Sequence, residues 1–332
     1  MIDPERHAEE VSHVPVIQQL AVIGVIMLLI FGTGFAPKFF ARFQDSEPTA
    51  EINIEYTEDH HTVTTPAQQE IIKQTLDEVT ITGQSAFVWD INTQKVLYQK
   101  NPDEQLPIAS ITKLMTALVA YELLQRDDAI EVTISAIRQD GASGFVDGES
   151  FTLQSLADLT LVSSSNDGAF ALAANVGALL APQGDASTFV QAMNIRADEL
   201  GLEQTYFRNP TGLDISDTEA GAYSSARDIA FLLEYILKNN PEVVENTDDA
   251  RVRVYNGNGA YHAANNTNAA IDELAGLIAS KTGYTELAGG NLAIAFDASL
   301  NRPVVVVVLG STRSERFTDV VALTDAIRVI TN

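Results

Sequence analysis

The sequence predicts an α+β fold: one antiparallel sheet built from both ends of a domain, with a helical cluster inserted between them and an apolar transmembrane helix ahead of it. Three observations carry this. Strand-like runs open the region after residue 80 and return after residue 251, while helical periodicity dominates the stretch between them. Strands, then helices, then strands is not the alternation that builds a parallel sheet, so the two ends of the domain are expected to complete one sheet together. Residues 14–37 carry no charged side chain, and 20–31 read LAVIGVIMLLIF.

The elements follow in order. Residues 1–13 form an acidic tail. Residues 14–37 are long enough to cross a bilayer as a helix of about 20 apolar residues, and they lack the polar face of a core helix. The acidic start, and Pro37 after Gly34-Phe35-Ala36, do not suit a cleaved signal peptide, so this span reads as an uncleaved anchor. Lys38 and Arg42 after the span, against Arg6 before it, favour a cytoplasmic C-terminal side. The motifs below need the opposite orientation, and the expectation follows the motifs. Residues 38–66 are acidic and, beyond 44, Thr-rich and aperiodic: a linker, in which His60 and His61 belong to a solvated spacer. The domain proper is 67–332. It is expected to open with an amphipathic helix at 68–79, then a hairpin of strands 85–90 and 95–99. Pro107 is expected to open a helix over 108–125. Four helices follow at 153–161, 167–180, 187–200 and 225–237, then strands at 277–282, 291–296 and 303–309, and a closing helix at 315–330.

Composition removes several function classes. The net charge is −25, spread over both the first 66 residues and the remainder, so the acidity belongs to the whole surface. Binding to nucleic acid needs a cationic face, and no nucleic-acid partner is expected. The absence of cysteine excludes disulfides, thiolate metal sites and a Cys nucleophile. After residue 66 the only histidine is His262, read as a loop residue, so neither a His-rich zinc site nor a Ser-His-Asp triad is supported; no metal or other cofactor is expected.

Three short motifs carry chemistry. Ser110 and Lys113 are three apart at the start of the expected helix, so hydroxyl and amine share a face. A serine hydroxyl is a weak nucleophile at neutral pH and needs a partner to take its proton. Ser164-Ser165-Asn166 stands at a helix start, where Ser and Asn also serve as ordinary caps. Lys281-Thr282-Gly283 ends a strand, where a cation and a hydroxyl can bind a carboxylate while the strand edge pairs with a peptide. Ser143, within Gly141-Ala142-Ser143-Gly144, reads as part of a turn.

S-x-x-K, S-x-N and K-T-G in this order are far more specific than any one alone. With PIASITKLMTALVA, SSSNDGAFALA, FRNPTGLD, YSSARDIA, NNTN and SKTGYTELAGGNLA, the chain from about residue 80 to 330 resembles the serine-type D-alanyl-D-alanine carboxypeptidases, the low-molecular-weight penicillin-binding proteins of peptidase family S11. The resemblance implies a β-lactamase/transpeptidase-like fold. It implies Ser110 as nucleophile, Lys113 as its proton acceptor, Ser164 as proton relay at the leaving group, and Asn166 as the residue orienting Lys113 and the substrate amide. Lys281 and Thr282, with Gly283 and Tyr284 completing the binding strand, would hold the substrate's terminal carboxylate. The N–H groups of Ser110 and Tyr284 would form the oxyanion hole. The implied substrate is the peptidoglycan stem peptide, with β-lactams as inhibitors, on a catalytic domain held outside the bacterial cell membrane by the N-terminal helix. Ser165 and Tyr284 depart from residues common in the family. The chain also ends just past the last helix, so the family's β-rich second domain and C-terminal anchor are not expected. Three rival readings share these motifs: an endopeptidase cutting peptidoglycan cross-links; a β-lactamase, disfavoured because the sequence has no E-x-x-L-N; and a non-catalytic wall-binding relic, disfavoured by the intact Ser110, Lys113 and Lys281.

Overall fold

The computed structural model describes residues 75–331, apart from 77 and 142. The expected anchor at 14–37, the linker at 38–66 and most of the expected helix at 68–79 lie outside these residues. Among the described residues no helix is long and apolar enough to cross a membrane.

The centre is a five-stranded antiparallel sheet made from both ends of the domain. Its strands are β1 (Ser85–Asp90), β2 (Lys95–Lys100), β10 (Leu277–Thr285), β11 (Gly289–Asp297) and β12 (Pro303–Ser311), in the order β10-β11-β12-β1-β2. In register Ser85 faces Leu309 and Asp90 faces Val304, so the first and last segments meet at mid-sheet. The run PVVVVVL of β12 shows no polar alternation because both faces of the sheet are covered. Val305, Val307 and Leu309 join Phe87 and Trp89 in a core against the helices, while Val304, Val306 and Val308 join Ala86 and Val88 on the other face. Successive side chains of a strand point to opposite faces, so one valine run supplies both cores. The second core is closed by the last helix, α6 (Glu315–Thr331), through Val320, Leu323 and Ile327.

The inserted cluster holds α1 (Lys113–Leu123), α2 (Leu153–Val162), α3 (Asn166–Leu180), α4 (Ala186–Glu199) and α5 (Ala226–Asn239). Residues 113–121 of α1 are all buried, which makes it the central helix of this layer. Caps define the starts: Thr152 accepts from the Ser155 N–H, Ser165 from Gly168, Asp185 from Ser187 and Thr188, and Ser225 from Asp228.

Three expectations change. The helix expected from residue 108 begins at Lys113; Leu106–Pro107 is a short strand, β3, and Ala109–Thr112 is a 3-10 turn. The reason is tertiary. Gly212 lies so close that a Cβ there would stand 1.9 Å from the Ala109 carbonyl oxygen, and Ala109 takes the left-handed φ of 47°. The middle region is also not purely helical: β4 (Ala129–Val132) pairs with β5 (Glu149–Thr152), and β6 (Tyr206–Phe207) joins β3 and β7 (Ala222–Ser224) in a small sheet. Finally, β8 (Arg251–Tyr255) and β9 (Tyr261–Asn265) form a hairpin, so His262 is a strand residue and not a loop residue. β8 carries a short alternation, Arg-Val-Arg-Val-Tyr, with Val254 in the core, but its partner β9, YHAAN, has no apolar period, and the pair is exposed along much of its length.

Candidate active site

Ser110 sits on the 3-10 turn one step before α1. With three residues per turn, positions i and i+3 eclipse, so Ser110 and Lys113 stack one above the other. Lys113 Nζ lies 2.7 Å from Ser110 Oγ, 2.7 Å from Asn166 Oδ1 and 2.8 Å from the Thr211 carbonyl oxygen. The Lys113 side chain is fully buried. Burial, and then the nearby Lys281 ammonium, push its amine well below the ordinary lysine value. The partners then decide the direction of the remaining bond. A neutral amine has two N–H donors and one lone pair, and the Thr211 carbonyl and the Asn166 amide oxygen can only accept. They take both donors and leave the lone pair facing the Ser110 hydroxyl. The orientation of Asn166 is fixed in turn, because its Nδ2 donates to the Asp140 carbonyl at 2.6 Å.

The Thr211 carbonyl is placed by local chemistry. Asn209 Oδ1 accepts from the N–H groups of Thr211 and Gly212, folding FRNPTGLD into a tight turn, and Thr116 Oγ1 donates to the Pro210 carbonyl. Gly212 itself has a φ of 78°, open to glycine at little cost.

Lys281 is 2 % exposed, and its Nζ donates to Ser164 Oγ and to the Thr282 carbonyl, each at 2.9 Å. Burial, and then the Arg316 guanidinium, lower its amine to about 7. Ser164 holds a left-handed φ of 60°, sparsely populated for a non-glycine residue. Ser165 turns inward as the cap of α3 while Ser164 faces the cleft, so the functional and capping readings of this motif fall on adjacent residues. Thr282 Oγ1 is 2.6 Å from Thr267 Oγ1. Gly283 runs so close to the Ser110 turn that a Cβ would lie 2.6 Å from the Ile108 carbonyl oxygen and 3.2 Å from the Ser110 nitrogen. Edge strand and turn are therefore in backbone contact there. Tyr284 lies next along the same strand and bonds Glu286.

Ser110, Lys113, Ser164, Asn166, Lys281, Thr282 and Gly283 thus converge at one sheet edge. Three participants were not singled out from sequence. The Thr211 carbonyl and Thr267 lie inside motifs that were noticed, FRNPTGLD and NNTN, but without an assigned role. Arg316 carried no signal: its guanidinium is 8 % exposed, donates to the Gly283 carbonyl at 2.7 Å and stacks over Phe317. Burial, and then Arg313, lower it to about 10. Ser143 lies in an irregular segment rather than a turn, and its Oγ meets Ser165 Oγ at 2.5 Å at the rim of the site.

A serine hydroxyl hydrogen-bonded to a buried amine, at the edge of an antiparallel sheet with helices on both faces, defines a serine peptidase built on a serine–lysine pair. Residues 70–313 match the Peptidase S11 family, D-alanyl-D-alanine carboxypeptidase. The chain belongs to that family. It is 31 % identical over 310 residues to the D-alanyl-D-alanine carboxypeptidase DacF of Bacillus subtilis, covering 92 % of this chain and 68 % of that protein. To a D-alanyl-D-alanine endopeptidase of Pseudomonas aeruginosa it is 35 % identical over 233 residues, covering 68 % of this chain and 70 % of that one. The fold is similar to penicillin-binding protein D2 of Listeria monocytogenes in its ampicillin-bound form, with a TM-score of 0.61, 26 % identity, and coverage of 75 % of this chain and 98 % of that one. It is also similar to the D-alanyl-D-alanine carboxypeptidase of Mycobacterium tuberculosis, with a TM-score of 0.66, 24 % identity, and coverage of 74 % and 91 %.

Proposed function

We propose that this chain removes the terminal D-alanine of peptidoglycan stem peptides through an acyl-enzyme on Ser110, and that β-lactams acylate the same hydroxyl. One observation carries the reading above all: the Lys113 amine, stripped of water, has two pure acceptors on two sides and the Ser110 hydroxyl on the third. In the proposed sequence Lys113 takes the Ser110 proton as Oγ attacks the penultimate D-alanyl carbonyl. The proton passes by way of Ser164 to the departing amine, and water then splits the ester. Lys281, with the Thr282 and Thr267 hydroxyls beside it, binds the terminal carboxylate; Arg316, holding the Gly283 carbonyl, adds positive charge behind that strand. The Ser110 and Tyr284 N–H groups stabilise the oxyanion, an interaction worth about 3 kcal/mol per donor in other enzymes. The apolar span at 14–37 anchors the domain outside the cytoplasmic membrane, where such substrates lie.

Mass spectrometry after penicillin treatment tests the assignment. The expected result is one adduct on Ser110, lost in Ser110→Ala; an adduct on another residue, or none, overturns it.

A further inference from the structure

The β8–β9 ribbon has two unlike faces. Its inner face packs Val254 and Ala264 into the main core, while its outer face presents Arg251, Arg253 and Tyr255 of β8 beside Tyr261, Ala263 and Asn265 of β9. In register Arg251 faces Asn265, Arg253 faces Ala263 and Tyr255 faces Tyr261, so the outward side chains form one continuous strip. The two phenol rings are 53 % and 57 % exposed, with centroids 6.0 Å apart, and Arg253 stacks over the Tyr261 ring at 5.0–5.5 Å spacing typical of such contacts, here 5.4 Å. Among the described residues neither arginine has a carboxylate oxygen within 4.0 Å, and the strip itself carries no acid. In a chain with 45 acidic and 20 basic residues, two uncompensated guanidinium groups on one face reverse the sign of the surface locally.

The strip is not what holds the ribbon in place. At the tip the Gly257 N–H donates to the Ser150 carbonyl at 2.7 Å, and Asn256 Nδ2 donates to Glu149 at 2.7 Å. At the base the Asn266 N–H donates to the Ala250 carbonyl at 2.9 Å. The outer face is therefore fixed before any ligand arrives. It is also continuous with the reaction site. A cleft of about 440 Å³ opens beside the reacting groups, and Ala263 of the strip lines it together with Ser164 and Asn166. Tyr261 stands two residues from Ala263 on the same face, about 7 Å along the strand.

The two kinds of side chain on the strip call for two features in one ligand. A pyranose ring presents C–H bonds on its faces, and these pack on the electron-rich face of a phenol. A guanidinium pairs with a carboxylate. An acidic peptide would meet the arginines and leave the rings exposed, and a neutral saccharide would do the reverse. We infer that the outer face of the β8–β9 ribbon binds a carboxylate-bearing chain of amino sugars, the polymer from which stem peptides hang, and holds it alongside the cleft. The inference goes beyond the acyl-enzyme reading and uses it only to say which polymer lies near the site.

The probe is a soluble glycan of N-acetylated amino sugars stripped of its peptides, which leaves lactyl carboxylates free and gives Ser110 nothing to attack. Its binding to the full chain in detergent is measured beside that of poly-glutamate and of an uncharged N-acetylglucosamine chain. Wild type is expected to bind the carboxylate glycan at least tenfold more tightly than either, with affinity falling as salt rises. Arg251→Gln/Arg253→Gln, confined to exposed side chains, is expected to lose at least fivefold on this glycan and nothing on the uncharged one. Tyr255→Ala/Tyr261→Ala is expected to lose at least tenfold on the carboxylate glycan. Penicillin acylation of Ser110 stays unchanged in both variants, as the check on folding. No binding by wild type, equal binding of poly-glutamate, or variants that bind the glycan as wild type does, each overturns the inference. Absence of a penicillin adduct in wild type overturns the acyl-enzyme reading and leaves the glycan affinities to decide the strip.

Discussion

A lysine amine enclosed by protein either gives up its proton or finds enough acceptors to keep it. Lys113 has two obligate acceptors and a hydroxyl, which suits the neutral form. In the proposed reaction Lys281, lowered to about 7, has to be charged to attract a carboxylate. Their opposite requirements set the pH dependence. Activity rises as Lys113 loses its proton, at a pH well below the ordinary lysine range, and kcat/KM falls again as Lys281 loses its own near pH 7. A bound carboxylate favours the charged form of Lys281, so the alkaline limb of kcat is expected above that of kcat/KM. Lys113→Ala is expected to reduce penicillin acylation by at least a thousandfold and to remove the acid limb from what remains. Stability moves the other way. An amine whose folded value is depressed binds fewer protons folded than unfolded, so from about pH 7 to its unfolded value stability rises with pH. Lys281→Met removes that charge at neutral pH and is expected to raise Tm by a few degrees while abolishing peptidase activity, read by calorimetry and turnover on the same preparation.

At the scale of elements, the site depends on a strand approaching a turn. Gly283 is required at the contact because any Cβ meets the Ile108 carbonyl oxygen at 2.6 Å. Gly283→Ala is expected to push β10 away from the Ser110 turn and slow acylation by ten- to a hundredfold, with Tm reduced by only a few degrees. The start of α3 is the second dependency. Ser165 accepts the Gly168 N–H at 2.9 Å and is buried, so Ser165→Ala is expected to lower stability by about 1 kcal/mol in urea denaturation. The same change loosens the backbone that holds Ser164 and Asn166 in place.

At the scale of the whole domain, the first and last segments of the described residues are joined by hydrogen bonds as well as by the sheet. Asp319 of α6 accepts from the N–H groups of Thr82 and Gly83, each at 2.9 Å, and from Ser311 Oγ at 2.6 Å. Asp319 is 4 % exposed, so Asp319→Ala leaves the buried Gly83 N–H and the buried Ser311 hydroxyl without this partner, along with the half-buried Thr82 N–H. The expected loss is about 2–4 kcal/mol, measured as a fall in the urea midpoint at unchanged m-value. Because β1 lies between β2 and β12, loosening this junction acts on the sheet whose opposite edge carries Lys281 and Thr282.

Local chemistry alone placed the strands of the central sheet, the four middle helices and the closing helix, because each carries an apolar period or a capping residue that acts within a few neighbours. It also marked Ser110, Lys113, Ser164, Asn166, Lys281 and Thr282, since their spacing reports on the pieces that hold them. In the β8–β9 ribbon only the five residues of β8 alternate, and YHAAN of β9 does not, so the pairing that puts His262 in a strand has no local period to mark it. Only the tertiary structure decided that Ser110 stands on a 3-10 turn, that a backbone carbonyl at Thr211 completes the environment of Lys113, that Arg316 lies behind the binding strand, and that a cleft opens beside Ser164. Each of these depends on groups far apart in the chain brought within a few ångströms, and the burial that lowers both lysines exists only once the sheet and the helical layer have closed around them.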